Sequence, residues 1–338
     1  MHIENLLNII DGKIVNSPKV EKIESATIYQ SKVEMGDLFF ACDKADIEKS
    51  VENGAYAVVF EGETPQITDS EIAYISVSSI KEATIKFLRY VLVQKKCQIF
   101  HFEDIEKSFL KQIAHRKNSI YTILSDNWQK SFETILNSNF DIFITTSQED
   151  AKTLSPNYKT LKSLASGYII SDSLLKTTFK VDKYIYQNID IAPFFVDNLR
   201  KVVKFCANNE IDYDLNRVKY TNEFRPIYID KDINALPKGG SEKVLIFVNS
   251  TKVIDQAIAY LKLEGRWIKS LVLTPPKTKL ENVDRPTWYN TTNEVKEILK
   301  NEHFHFAFCY KLDIEDIIAN SKSYPALFWF LSSISFTG

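Results

Sequence analysis

The sequence predicts an α/β protein built from several domains, on three observations. Short runs rich in β-branched and aromatic residues alternate with segments whose apolar residues recur at helical spacing. That strand–helix alternation is clearest after residue 230 and argues for a parallel, doubly wound unit. The chain has 338 residues, 44% hydrophobic and 25% charged, an ordinary globular composition long enough for two or three domains.

The elements follow in order. Residues 23–29 and 37–41 read as strands. Residues 45–53 read as a helix closed by Gly54, a residue suited to a left-handed cap. YAVVFE at 56–61 and IAYISV at 72–77 are strands. Residues 81–93 place Ala83, Ile85, Phe87, Leu88 and Val91 near one stripe of a helix that ends by Lys95 and Lys96. Next come a strand at 120–124, a helix at 131–137 and a strand at 140–145, then a Ser/Thr/Lys-rich stretch, 146–180, of weak periodicity. Residues 196–207 form a helix with Leu199, Val202, Val203, Cys206 and Ala207 at helical spacing. In the last third, VLIFV at 244–248 is a fully apolar strand. A helix at 254–263 is closed by Gly265, a strand spans 270–273, a helix 293–300 and a strand 304–310.

Composition excludes several function classes. Nine glycines stand at 12, 36, 54, 62, 167, 239, 240, 265 and 338, and neither GxGxxG nor GxxxxGK[ST] can be written with them. A net charge of -2 gives no long-range attraction to nucleic acid or anionic lipid. The four cysteines, at 42, 97, 206 and 309, form no CxxC and read as buried free thiols of a reducing cytosol. The N-terminus lacks the basic and apolar regions of a signal peptide. The longest apolar stretch, PALFWFLSSISF at 325–336, is too short for a membrane span of about 20 residues and reads as core or as a docking patch. A cytoplasmic protein is expected.

Three segments resemble the Mur ligases of peptidoglycan synthesis, closest to the type that adds D-alanyl-D-alanine to a UDP-muramoyl tripeptide. SKVEMGDLFFA (31–41), a helix and ENGAYAVVFE (52–61) are similar to that family's N-terminal signature. DNLRKVVKFCANNEIDYDLNRV (197–218) resembles the helix after its His-Asn segment. DKDINALP (230–237) resembles the Asp-x-x-x-Asn-Ala-x-Pro segment opening its C-terminal domain. The resemblance implies a three-domain Mur-ligase-like architecture: an N-terminal domain at 1–95, a shortened ATPase-like central domain at 96–229 and a Rossmann-like C-terminal domain at 230–338. Residues 138–180 carry no resemblance.

The departures fall on the family's ligand-binding segments. The glycine-rich ATP loop ending in Gly-Lys-Thr lies in register with Ser125-Asp126-Asn127-Trp128-Gln129-Lys130-Ser131. Lys130 and Ser131 remain, while Asp126 and Gln129 stand at glycine places. Glycine there permits positive φ and close approach of amides to phosphate, so Gln129 adds bulk and strain. Asp126 adds a like charge worth ~1 kcal/mol or more beside a triphosphate at intermediate dielectric. The Asp-Ser-Arg that contacts uridine falls on Tyr29-Gln30-Ser31. The His-Asn pair falls on Phe194-Phe195, although Asn198 is kept. The stretch from Ser131 to Asn198 is too short for the family's full central sheet and its magnesium-binding glutamate.

These residues give the candidate sites. Lys130 and Ser131 are a vestigial phosphate site at a helix N-terminus, or a solvated lysine and an N-capping serine. Asn198, Asp230 and Asn234 are candidates for an interdomain cleft. Asp230 and Asn234 read equally as a turn joining two domains. His303 and His305 would share one strand face, but no third ligand stands near them and no metal site is expected. His101, His115 and the acidic clusters at 103–106 and 313–316 read as solvated charge. Phe194, Phe195, Trp267, Trp288 and 328–330 read as core or as interface anchors. No catalytic set has readable spacing.

Three functions remain open. The first is a non-catalytic Mur-ligase homologue that binds cell-wall synthesis proteins or a muropeptide precursor. The second is a diverged ATP-dependent carbon–nitrogen ligase acting on a UDP-muramoyl-peptide-like substrate, which alone would require ATP and magnesium. The third is a generic interaction module descended from the family. No cofactor is implied by the first or third.

Overall fold

A computed structural model describes residues 1–115, 119–162, 168–181, 183–265 and 267–321. Two compact units emerge: Met1–Glu103 with Arg116–Leu161, and Asp104–His115 with Lys162–Gly338.

The first unit opens with α1 (Ile3–Ile10), which buries Ile3, Leu6 and Ile10 at helical spacing. β1 (Lys13–Ile14), β2 (Ala26–Thr27), β3 (Leu38–Phe40), α2 (Ile47–Glu52), β4 (Ala57–Glu61), β5 (Ala73–Val77) and α3 (Ile80–Gln94) follow. The five strands form a sheet of order β1-β5-β4-β3-β2, parallel except where β1 meets β5. The strand expected over 23–29 reduces to Ala26–Thr27. Alternate residues of the sheet enter two cores. Leu38, Phe40, Ala57, Val59, Ala73 and Ile75 join α1 and α3, whereas Phe39, Val58, Phe60 and Tyr74 join Ile47 of α2.

The N-terminal signature has a backbone reason. Gly36 and Gly54 take φ of 98° and 105°, and the Gly36 amide donates to the Gly54 carbonyl at 3.0 Å. A Cβ on Gly54 would lie 3.0 Å from the Met35 Cα. Asp37 is buried, accepts the Ser25 hydroxyl and the Glu34 amide, and gives its carbonyl to Tyr56. The Gly-Asp pair therefore locks β3 to the turn before β4.

The chain continues through β6 (Gln98–His101), α4 (Asp104–Ile113), β7 (Tyr121–Ile123), α5 (Trp128–Asn137), β8 (Ile142–Thr145), α6 (Gln148–Leu154) and β9 (Lys159–Thr160). Of these α4 belongs to the second unit. The strands form a parallel sheet of order β7-β8-β6-β9, with all four residues of β8 buried. Ile99, Phe132, Ile135, Phe143, Ala151 and Leu154 share one apolar core with α1, α3 and the five-stranded sheet. Residues 96–103 and 119–161 thus share their core with the N-terminal sheet. β6, α4 and α6 are additions to the sequence-based expectation.

The second unit holds α4, a three-stranded antiparallel sheet and a larger sheet. β10 (Ile169–Asp172), β11 (Thr177–Val181) and β12 (Tyr184–Ile189) pair in chain order. β10 and most of β11 fall in the weakly periodic stretch, and β12 lies just beyond it. α7 (Val196–Asn208) packs on α4 and buries Leu199, Val202, Val203 and Cys206 as expected. β13 (Arg225–Ile229), β14 (Ala235–Leu236), β15 (Val244–Val248), α8 (Thr251–Glu264), β16 (Ser270–Thr274), β17 (Thr287–Trp288), α9 (Thr292–Asn301), β18 (Phe306–Tyr310) and α10 (Ile314–Ile317) complete it. The six strands run β14-β13-β15-β18-β16-β17, with β15, β18, β16 and β17 parallel. Leu245, Phe247, Leu273, Ala307 and Cys309 pack with Val295 and Leu299 of α9. The alternate residues Ile246, Val272 and Phe308 are equally buried, on the face that receives α8. This is the doubly wound α/β unit read from the sequence.

Three expectations need correction. Trp267 and Trp288 are 75% and 59% exposed, so neither is core. Cys206 and Cys309 are buried, but Cys97 is half-buried and Cys42 exposed. His303 and His305 precede β18 instead of sharing a strand, although their rings lie 5.9 Å apart. The apolar stretch at 325–336 lies outside the described residues. No helix among the described residues is long and apolar enough to cross a membrane.

Gly54→Ala should destabilise the first unit by roughly 1–2 kcal/mol or more, because an unfavourable φ and a backbone approach act together. Gly239→Ala also sits at positive φ, 81°, but meets nothing within 4 Å and should cost less. Urea-unfolding midpoints of the two variants check this order, and the reverse order would remove backbone crowding as the cause.

Candidate functional site

Ligands of parallel α/β sheets gather at the C-terminal ends of the strands. In the first unit that edge carries the segment from Ser125 to Ser131, between β7 and α5. Leu124 extends β7 by donating its amide to the Ile144 carbonyl at 2.8 Å. The chain then turns into α5 through Asn127. Its Oδ1 accepts the amides of Gln129 at 2.9 Å and Lys130 at 3.1 Å. The Ser125 Oγ accepts the Asn127 amide, and the Ser131 amide donates to the Asn127 carbonyl. The Ser131 hydroxyl donates to the Ser125 carbonyl at 2.7 Å.

This geometry changes the reading of the segment. None of residues 125–131 adopts a positive φ, so Gln129 carries no left-handed strain. The N-cap is Asn127, not Ser131, and Ser131 is buried with its hydroxyl committed to the backbone. The amides of Asn127, Gln129, Lys130 and Ser131 are already bonded within the turn. Lys130 is the exposed cation of the first turn of α5. Next to it, burial raises the Cys42 thiol pKa, against an opposing contribution from the Gln129 side chain. At the end of β8, Ser147 likewise caps α6 by accepting the Asp150 amide.

A residue missed by sequence reasoning fixes α5. Glu133 is 5% exposed. Its Oε1 accepts the Thr27 hydroxyl at 2.7 Å and the Ile28 amide at 3.0 Å. Its Oε2 accepts from Asn137 at 3.0 Å and meets Lys32 at 3.4 Å. The carboxylate thereby holds the strand end that leads into Tyr29-Gln30-Ser31. Those residues begin a 3-10 turn, Gln30–Lys32, in which the Lys32 Nζ lies 5.1 Å from the Tyr29 ring centroid.

In the second unit, Asn198 donates to Glu106 at 3.2 Å, and Lys201 lies 3.5 Å from the same carboxylate oxygen. Glu106 is 3% exposed, so the acidic cluster at 103–106 is not wholly solvated. Glu103 and Asp104 are exposed, while Glu106 turns with Ile105, Phe109 and Leu110 to the buried side of α4. Phe194 and Phe195, at the family's His-Asn place, stack edge-on with each other and with Phe224.

Asp230 and Asn234 come together in one turn. Asp230 accepts the amides of Asn234 and Asp232, both at 2.8 Å, and the Asn234 side chain at 3.0 Å. The Asn234 amide, with lesser contributions from its side chain and the Asp232 amide, holds the Asp230 pKa below the usual carboxylate range. The turn sets Ile233 at φ 64° with its side chain in the core, an uncommon conformation for a β-branched residue.

The His pair does not present a ready chelate. The His305 Nδ1 accepts the Lys269 amide at 3.0 Å, which leaves the proton of a neutral ring on Nε2. No group of three or more His, Cys, Asp or Glu suited to a metal occurs among the described residues.

No family model matches the sequence, and no curated protein matches it. Solved structures do. MurF ligase from Thermotoga maritima, determined in complex with ADP, aligns over 92% of this chain and 99% of its own, with a TM-score of 0.51 at 10% identity. MurF from Acinetobacter baumannii aligns over 96% and 98% of the two chains, with a TM-score of 0.49 at 11% identity. The fold is Mur-ligase-like. Fold alone does not carry chemistry, which has to be argued from the site.

Two outcomes test the geometry. Glu133→Ala should lower stability by about 2–4 kcal/mol, since it leaves buried donors of Thr27 and Ile28 unsatisfied. Glu133→Gln keeps an acceptor oxygen and should lose less. Equal losses in thermal unfolding would remove the acceptor role. Asp230 favours its ionised form in the folded chain, so its contribution is present above the ordinary carboxylate pKa, about 3.9, and is lost as pH falls through the lower folded value. Asp230→Asn should therefore lower Tm at neutral pH, and the deficit should shrink in acid. A deficit constant across that range would contradict the assignment.

Proposed function

We propose that this chain is a non-catalytic protein on a Mur-ligase-like fold that works by binding in cell-wall synthesis, in the cytoplasm. Its partner is a cell-wall synthesis protein or a muropeptide precursor. The supporting observation is the segment from Ser125 to Ser131. Asn127 occupies the amides of Gln129 and Lys130, and Ser131 is spent on the Ser125 carbonyl. A phosphate cradle needs those amides open. Asp126 adds an exposed negative charge to the same turn. The reading keeps the family's order of an N-terminal domain at 1–95, a reduced central domain at 96–229 and a C-terminal domain at 230–338.

One observation favours a second reading, a diverged ATP-dependent carbon–nitrogen ligase. Lys130 is exposed in the first turn of α5, where a cation and the helix dipole both favour an anion. The two readings separate on ligand binding. A ligand at 100 times its Kd stabilises a fold by about 2.7 kcal/mol. Millimolar ATP with magnesium should leave the melting temperature unchanged, and no amide product should form with a muramoyl-peptide and an amino-acid or dipeptide acceptor. A clear rise in Tm together with ATP-dependent amide formation would establish the second reading instead. A rise with a UDP-muramoyl peptide alone would identify the precursor as the partner.

A further inference from the structure

We draw no further inference here: the strongest candidate, the exposed apolar surface of the three-stranded sheet β10-β11-β12 with Tyr168, Ile170, Tyr184 and Ile185, carries nothing because nothing in the structure shows what covers it.

Discussion

The first unit depends on one constraint, the attachment of α5 to the N-terminal sheet. Phe40 of β3, Phe87 of α3 and Phe132 of α5 meet with centroid separations of 5.5, 5.6 and 6.5 Å. All three rings are at most 5% exposed. Such pairs contribute ~0.5–1.5 kcal/mol each beyond the area they bury. The neighbouring Glu133 adds directional bonds to Thr27 and Ile28. Rings alone would tolerate rotation of the helix about its axis. A buried carboxylate that must satisfy named donors does not, because each lost bond leaves a desolvated group. Apolar packing therefore supplies most of the attachment energy, and Glu133 sets the orientation.

That orientation determines what the turn before α5 can be. With the helix pinned by Phe132 and Glu133 and β7 pinned by pairing with β8, the connection from Leu124 to Trp128 is short. A glycine-rich loop would arch its amides outward around a ligand. Here the turn holds Asp126, Asn127 and Gln129, and it closes on the Asn127 and Ser125 side chains. An asparagine N-cap contributes ~1 kcal/mol to helix stability without any ligand. The Asn127 cap thus makes the helix start self-sufficient.

Much of the frame was legible because it rests on local signals. The apolar run at 244–248, the helix closed by Gly265 and the Gly36–Gly54 signature each declare themselves within a few residues. What escaped was non-local. Glu133 is one charge in a polar helix until Thr27, 106 residues away, is seen to donate to it. Glu106 sits among exposed acids, and only the approach of α7 turns it into a buried partner of Asn198 and Lys201. Part of the weak periodicity at 146–180 has a matching cause. All four residues of β10 are exposed, so no apolar alternation was imposed on them. The aromatic content misled in the other direction, since Trp267 rests edge-on against His305 and remains largely exposed.

The candidate residues also divide by what their polar groups are doing. Ser131, Asn198, Asp230 and Asn234 all have hydrogen-bond partners inside the chain, and in each case the bond fixes backbone or helix position. Asp230 is the clearest example, because its carboxylate holds a turn that places Ile233 at a positive φ in the core. Removing such a group costs stability before it costs any reaction. Retention of these residues is therefore explained by the fold alone and is no sign of retained chemistry. Lys130 differs, since its ammonium is exposed and caps no element. Among these candidates it is the one whose presence the hydrogen bonds of the scaffold do not account for.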